Sequence, residues 1–334
     1  MLRIHFTAQD LVRVDLIEPL PEISEAVLSL QVARRTDQEV RFGAWRTGLR
    51  TQLPAGVGPL LDLVPARGWI PDFLTPTTNP GEPAAALEDV RATPRHRLAA
   101  DLGRFAGARP LPDWVSSLGH GDPGAMDVVV RALGAYHAAV IAPRVRALQG
   151  VLDAELARRT TSLYRRGIGG LLGGLHPALL WRPPVLTVPA RADADVHLAG
   201  RGLMLAPMLF CGPLPRLVDG GADRVPVLCY PLPFDLAANP LSDASPAQQR
   251  QHASALGRLL GTTRAAALRA IASTPGLSTA ELADRLAVSL ASASEHATVL
   301  RRAGLTTTHR DGPRVRHHLT AAGATVLAAP IAAP

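Results

Sequence analysis

The chain has 334 residues, 47% of them hydrophobic and 19% charged, a globular balance with enough length for more than one core and no compositional sign of wholesale disorder. Aromatics make up only 4% and there are two cysteines, so the cores rest mainly on Leu, Val and Ala, and a disulfide scaffold is excluded. Every basic residue is Arg, and the net charge of +7 points to an acidic partner.

That charge is unevenly placed. Residues 250–334 hold 10 Arg against 4 acids, a net of +6, whereas residues 1–249 hold 25 Arg against 24 acids, a net of +1. The asymmetry is that of a module for nucleic acid or an anionic surface, joined to an electrically balanced domain.

In chain order, the opening RIHFTAQDLVRVDLI alternates like a strand and lacks the apolar core of a signal peptide. EISEAVLSLQVARR predicts a helix, as do GAWRTGLRTQL and GPLLDLV, and TPTTNPGEPAAA is a loop. LEDVRATPRHRLAADLGRFAG reads as two helical pieces broken at Pro94. From Asp122 to Arg166 the pattern is strongly helical, opened by Asp122 and Pro123 and broken at Pro143.

GIGGLLGGLHPALLW carries five glycines within eight positions, marking a bend or a close backbone approach. It lacks the Lys of a phosphate-cradling loop. PPVLTVP, DVHLAGRGLMLAPMLFC and RVPVLCYPLP are strand material. The most apolar run, Gly202–Pro215, is too short to span a bilayer, and Arg131 and His137 interrupt the other apolar stretch. These features predict a cytoplasmic chain without a membrane segment.

The fold class expected is therefore α+β and mainly helical, with a small sheet in an N-terminal domain over residues 1–235. Residues 236–254, DLAANPLSDASPAQQRQHA, are polar and rich in turn formers and read as a linker. A third segment, 255–328, precedes a short tail at 329–334.

Searching residues 1–235 for chemistry yields little. The histidines are scattered, and no G-x-S-x-G elbow occurs. Asp193, Asp195 and His197 alternate onto one strand face, an arrangement compatible with a metal but read first as a solvated strand edge. Cys211 and Cys229 could meet across paired strands as a redox pair, or be buried structural residues. Trp69 and Trp181 could line an apolar pocket or belong to the core. No catalytic residue, metal ligand or cofactor is assigned.

The last segment carries more information. LGRLLGTTRAAALRAIAS predicts an amphipathic helix ended by Pro275 and Gly276. Ser278 and Glu281 have capping-box spacing for a short second helix, TAELADRLA. Ser289 caps a third, and Gly304 closes it. At about 100° per residue, Ala293, Ala297 and Leu300 share the core face with His296 at its edge. Nearly opposite lie Ala291, Glu295, Thr298 and Arg302, flanked by Ser292 and Ser294.

That outward face is small and polar, open to close approach along a groove; Glu295 can accept from cytosine N4 and Ser or Thr can bond base edges. Next, LTTTHR, a DGP turn and RVRHHLT read as a β-hairpin carrying Arg310, Arg314 and Arg316. A basic hairpin after such a helix is suited to phosphate or minor-groove contact.

On LGRLLGTTRAAALRAIA, the helix pair LSTAELADRLAVSLASASEHATVLRRAGL and the hairpin ending HHLTAAG, residues 256–327 resemble an ArsR-type winged helix-turn-helix transcriptional regulator. The resemblance implies a homodimer on a palindromic double-stranded operator, usually repressing until an effector binds. It departs from the metal-sensing members, whose second-module helix carries paired cysteines where this chain has Leu282, Ala283 and Asp284. With no cysteine in the module, that thiolate site is absent.

The stretches RIHFTAQDLVRV, PDFLTP and VRATPRHRLAADL look like a domain found ahead of winged helices in regulators of high-GC bacteria, which brings no assigned ligand or reaction. The expected function is a DNA-binding regulator and not an enzyme, its N-terminal domain setting dimer geometry or sensing a small-molecule effector. Its reading residues would be Ser289, Ala291, Ser292, Ser294, Glu295, Thr298 and Arg302, with Arg310, Arg314 and Arg316 on the hairpin. The alternative is an enzyme or ligand-binding protein whose winged helix serves only protein–protein contact.

Overall fold

The opening stretch is not one strand. Thr7 Oγ1 accepts the Asp10 amide at 3.2 Å while Asp10 Oδ2 accepts the Thr7 amide at 2.8 Å, a capping box that starts a helix in mid-run. The result is β1 (Leu2–His5), α1 (Ala8–Leu11) and β2 (Val14–Leu16), with the two strands in different sheets. Asp10 is buried, and its Oδ1 accepts the Gly202 amide at 2.9 Å. Gly202 lies at φ +80, where a Cβ would come within 2.3 Å of the Arg13 carbonyl oxygen, so no other residue fits that contact.

This computed structural model describes residues 1–18, 21–49, 53–76, 81–106, 111–190, 192–218, 224–232, 241, 246–274, 276–311 and 314–328. They form two compact units: Met1–Arg35, Arg46–Leu175 and Leu179–Leu232 in the first; Thr36–Trp45, His176–Ala178 and Pro233–Pro334 in the second. The class is α+β, helical in the main with small sheets.

After β2 the chain is helical: α2 (Glu22–Ala33), α3 (Glu39–Leu49), α4 (Gly58–Leu63), a 3-10 turn (Asp72–Leu74), α5 (Pro83–Arg91), α6 (Arg95–Ala106), α7 (Asp113–Gly119), α8 (Pro123–Val140), a second 3-10 turn (Ala142–Arg144) and α9 (Val145–Gly174). Asp122 caps α8 through the Gly124 amide at 2.8 Å, and the helix stops just before Pro143. α9 bends at Gly167, where φ is 64 and ψ −173, so the glycine cluster does mark a bend. Helical stretch Pro123–Gly174 is long and apolar enough to cross a membrane by length and composition, and 50% of its most apolar window is buried in the fold.

With the strands β3 (Leu180–Arg182), β4 (Val185–Val188), β5 (Ala194–His197), β6 (Leu203–Met208), β7 (Arg216–Val218) and β8 (Val227–Pro231), these elements make up the first unit, apart from residues 39–45 of α3, which belong to the second. One sheet runs β3-β4-β1-β5 and the other β2-β6-β8-β7. DVHLAGRGLMLAPMLFC is thus two strands of separate sheets, parted by positive φ at Ala199, Gly200 and Gly202. Glu25, fully buried on α2, accepts the Leu209 and Phe210 amides at 2.5 and 3.0 Å, tying the end of β6 to the helical layer.

The second unit contains α10 (Pro246–Leu260), α11 (Thr262–Ser273), β9 (Leu277–Ser278), α12 (Thr279–Leu286), α13 (Leu290–Arg302), β10 (Thr306–Asp311), β11 (Arg314–Leu319) and α14 (Ala321–Ala328). Two expectations change here. The helix predicted over LGRLLGTTRAAALRAIAS is two helices, because Gly261 takes φ +84 and ends α10. Residues 246–254 of the predicted linker open α10; residues 236–240 and 242–245, and the tail 329–334, lie outside the described residues. Leu268, Ile271, Leu277, Leu282, Ala293, Ala297, Leu300 and Leu327 meet in a single core, with β10-β11-β9 as the sheet.

Candidate nucleic-acid interface

α12 and α13 are joined by a turn that the core dictates. Ser278 Oγ accepts the Glu281 amide at 3.3 Å and Glu281 returns a carboxylate oxygen to the Ser278 amide at 2.8 Å, so α12 starts where the sequence predicts. Its end is less obvious. Ala287 adopts φ 53 and ψ 43, and the Val288 amide reaches back to the Ala283 carbonyl at 3.1 Å, a helix stop usually built on glycine. Val288 packs on the core, and this contact holds the alanine in the left-handed region.

Ser289 then caps α13, its hydroxyl accepting the Ser292 amide at 3.1 Å and lying 2.9 Å from Ser292 Oγ. The expected division of α13 holds: Ala293, Ala297 and Leu300 are buried and His296 is half-buried at their edge. Ala291, Ser294, Glu295 and Arg302 are exposed, Ser292 and Thr298 half-buried. Ser289 and Ser292 spend hydrogen-bonding capacity on each other, which leaves Ser294, Glu295 and Thr298 as the polar groups best able to face a partner. Sequence reading passed over Leu290, which stands 58% exposed at the first position of the helix.

The hairpin places its arginines differently from one another. Pairing sets Arg310 opposite Val315, Arg316 opposite His309 and Arg314 opposite Asp311. Directly paired residues share a sheet face and neighbours alternate, so Arg310 lies on one face and Arg316 on the other. These two do not share one cationic surface. Arg310 is exposed. Arg316 is half-buried and its Nη1 donates to the Gly276 carbonyl at 3.1 Å, clasping β11 to the segment before β9. The Arg314 side chain lies outside the described residues. Arg301, exposed beside Arg302 in the last turn of α13, is a cation the sequence reading left out.

His317 and His318 are both held toward the neutral form. His317 is buried with Nε2 2.9 Å from Thr279 Oγ1, while its Nδ1 is buried without a hydrogen-bond partner. Burial, then the neighbouring His318, holds its imidazole below the ordinary value. For His318, which meets His309 edge-on at 5.1 Å between ring centroids, burial acts first and the His309 and Arg316 charges add to it.

In the first unit the strand-edge trio is engaged. Asp195 takes Arg3 Nη2 at 2.6 Å and His5 Nε2 at 2.7 Å, and His5 stacks on His197 at 4.4 Å. The Arg3 hydrogen bond, seconded by that of His5, holds the Asp195 carboxyl well below its usual range. Among the described residues no group of three or more His, Cys, Asp or Glu is placed to hold a metal ion. Cys211 and Cys229 are both buried and not joined in a disulfide, and burial pushes the Cys229 thiol up to about 11, away from redox reactivity. Trp181 packs edge-on to Phe6 at 5.3 Å as part of a core cluster.

No family model matches this chain, and neither the curated proteins nor the solved structures contain a match to it.

Proposed function

We propose that the second unit is a winged helix-turn-helix of ArsR type and that the protein is a sequence-specific, double-stranded-DNA-binding transcriptional regulator. It would act in the cytoplasm as a homodimer, as a repressor, with the first unit setting dimer geometry or sensing an effector. The observation that carries the reading is α13: a helix whose inner face is core and whose outer face shows Ala291, Ser294, Glu295 and Arg302 to solvent. It lies in a segment of net charge +6, 10 Arg against 4 acids over residues 250–334.

In this reading Glu295, Ser294 and Thr298 read base edges, and Leu290 offers apolar contact to a thymine methyl. Arg301, Arg302 and Arg310 neutralise phosphates, which supplies affinity without sequence preference. Arg316 acts by holding the hairpin, so its loss weakens binding through geometry and not through one lost charge.

The test is selection of duplexes from a random library by the full-length chain, then titration against salt. A recurring, dyad-symmetric sequence is expected. Arg302→Ala and Arg310→Ala should each lower the salt slope by about one. Glu295→Ala should relax preference at one base position, costing about 1–3 kcal/mol of discrimination. Failure to enrich any sequence would refute the reading.

A further inference from the structure

The sheet β2-β6-β8-β7 has two unlike faces. Leu205, Leu228, Tyr230 and Leu217 turn one way and join the core cluster around β1 and β4. The opposite face follows from the register: Ala206, Cys229 and Arg216 lie in one row across three strands, with Val227 and Val218 in the next. That second face floors a pocket of ≈ 100 Å³. Ser24 and Leu28 of α2 and the segment Trp69–Asp72 complete its walls.

The lining is mainly apolar, with polar side chains at Arg216, Asp72, Ser24 and Thr75; Ser24 already donates to the Pro76 carbonyl at 2.7 Å and Thr75 to the Asp72 carbonyl at 3.2 Å. Arg216 is the anomaly. Its Nη2 is buried with no hydrogen-bond partner, and among the described residues no carboxylate pairs with it. A guanidinium nitrogen kept from water without an acceptor is destabilising, and an arriving anion would supply what is missing. The guanidinium fork matches a carboxylate in two parallel hydrogen bonds.

The other walls select further. Burial, and secondarily Asp101, holds the Asp72 carboxyl above its ordinary value, and the Arg104 guanidinium lies 3.9 Å from it. Trp69 presents a flat wall braced by the Arg104 guanidinium 4.8 Å over its ring and by Phe105 at 6.3 Å. Cys229, its thiol raised by burial, contributes small neutral surface. A cation would meet Arg216, and a wholly apolar molecule would leave Nη2 unpaired. A dianion would find only one guanidinium among apolar walls.

We propose that this pocket binds a small amphipathic monocarboxylate, its carboxylate on Arg216 and its apolar body along Trp69, Met208 and Val227. The binding stands apart from the DNA reading; only its use as an effector rests on that reading.

The test is calorimetric titration of the full-length chain with phenylacetate, hexanoate and octanoate, each beside its neutral amide. At least one acid should bind about tenfold or more tightly than its amide. Arg216→Met should remove that preference, so that acid and amide bind alike, while Met208→Trp, which fills the floor, should abolish both. Should Arg216→Met fail to fold, the acid–amide pair on the unaltered chain decides. Saturable binding by none of the acids, equal binding of acid and amide, or an unchanged affinity in Arg216→Met overturns the proposal. Duplex titration with and without the bound acid then isolates the effector role: a shifted duplex Kd supports it, and an unchanged one refutes that role while the pocket stands.

Discussion

Replacing Gly323 by alanine separates local propensity from packing in the second unit. Gly323 sits in α14, its amide donating to Thr320 Oγ1 at 3.1 Å. Judged as a helical glycine, Gly323→Ala should stabilise by about 1 kcal/mol. The surroundings oppose this. A Cβ there would lie 2.2 Å from the Leu305 carbonyl oxygen and 2.8 Å from Leu319 Cδ1. Carbon–oxygen contacts settle at about 3.3 Å, so about 1 Å must be found by moving α14 away from the start of the hairpin.

That oxygen also accepts the Thr320 amide at 3.1 Å, a bond the shift would strain, and Leu327 would be drawn from the core. Overpacking of this kind costs about 1–3 kcal/mol and a weakened hydrogen bond about 1 more, so after the helix gain of about 1 the net loss is about 1–3 kcal/mol. Hydrogen exchange of the α11 and α13 amides should accelerate about 5–150-fold. Slower exchange in the variant would show that α14 does not pack on Leu305 as described.

Other expectations follow from the same packing. Glu25→Gln keeps the shape but leaves only one acceptor for the Leu209 and Phe210 amides; a loss of about 2–3 kcal/mol in the first unit, read as a Tm lowered by about 5–10 °C, is expected. The stability of the second unit should fall as pH drops below about 6.5. His317 and His318 bind protons less readily folded than unfolded, so their contribution is complete above the unfolded value and is lost as pH falls toward the folded one. Protonated His317 would carry a second donor at Nδ1, which is buried without an acceptor, so urea midpoints across this range should flatten in His317→Gln.

Much of the second unit was legible before any coordinates, because its signals are local. Ser278 with Glu281, Ser289 with Ser292, the core stripe Ala293–Ala297–Leu300 and the alternating hairpin all act over a few residues, so spacing alone locates them. The helix stop at Ala287 was hidden, since alanine carries no mark of the left-handed conformation that Val288 burial imposes. The break at Gly261 was hidden too, for the apolar stripe runs on across it.

Charge, composition and short-range capping thus set by themselves where the cations concentrate, which helices form, and which face of α13 turns outward. Only the tertiary structure decided which cations are available: Arg316 is held by a carbonyl 40 residues earlier in the chain, and hairpin pairing parts it from Arg310. It alone placed Arg216, in a three-residue strand too short for any periodic signal, on the floor of a pocket with its Nη2 unpaired. The physical reason is common to these cases. A capping bond or an apolar stripe is set by near neighbours, whereas the environment of a charge is set by what long-range pairing brings against it.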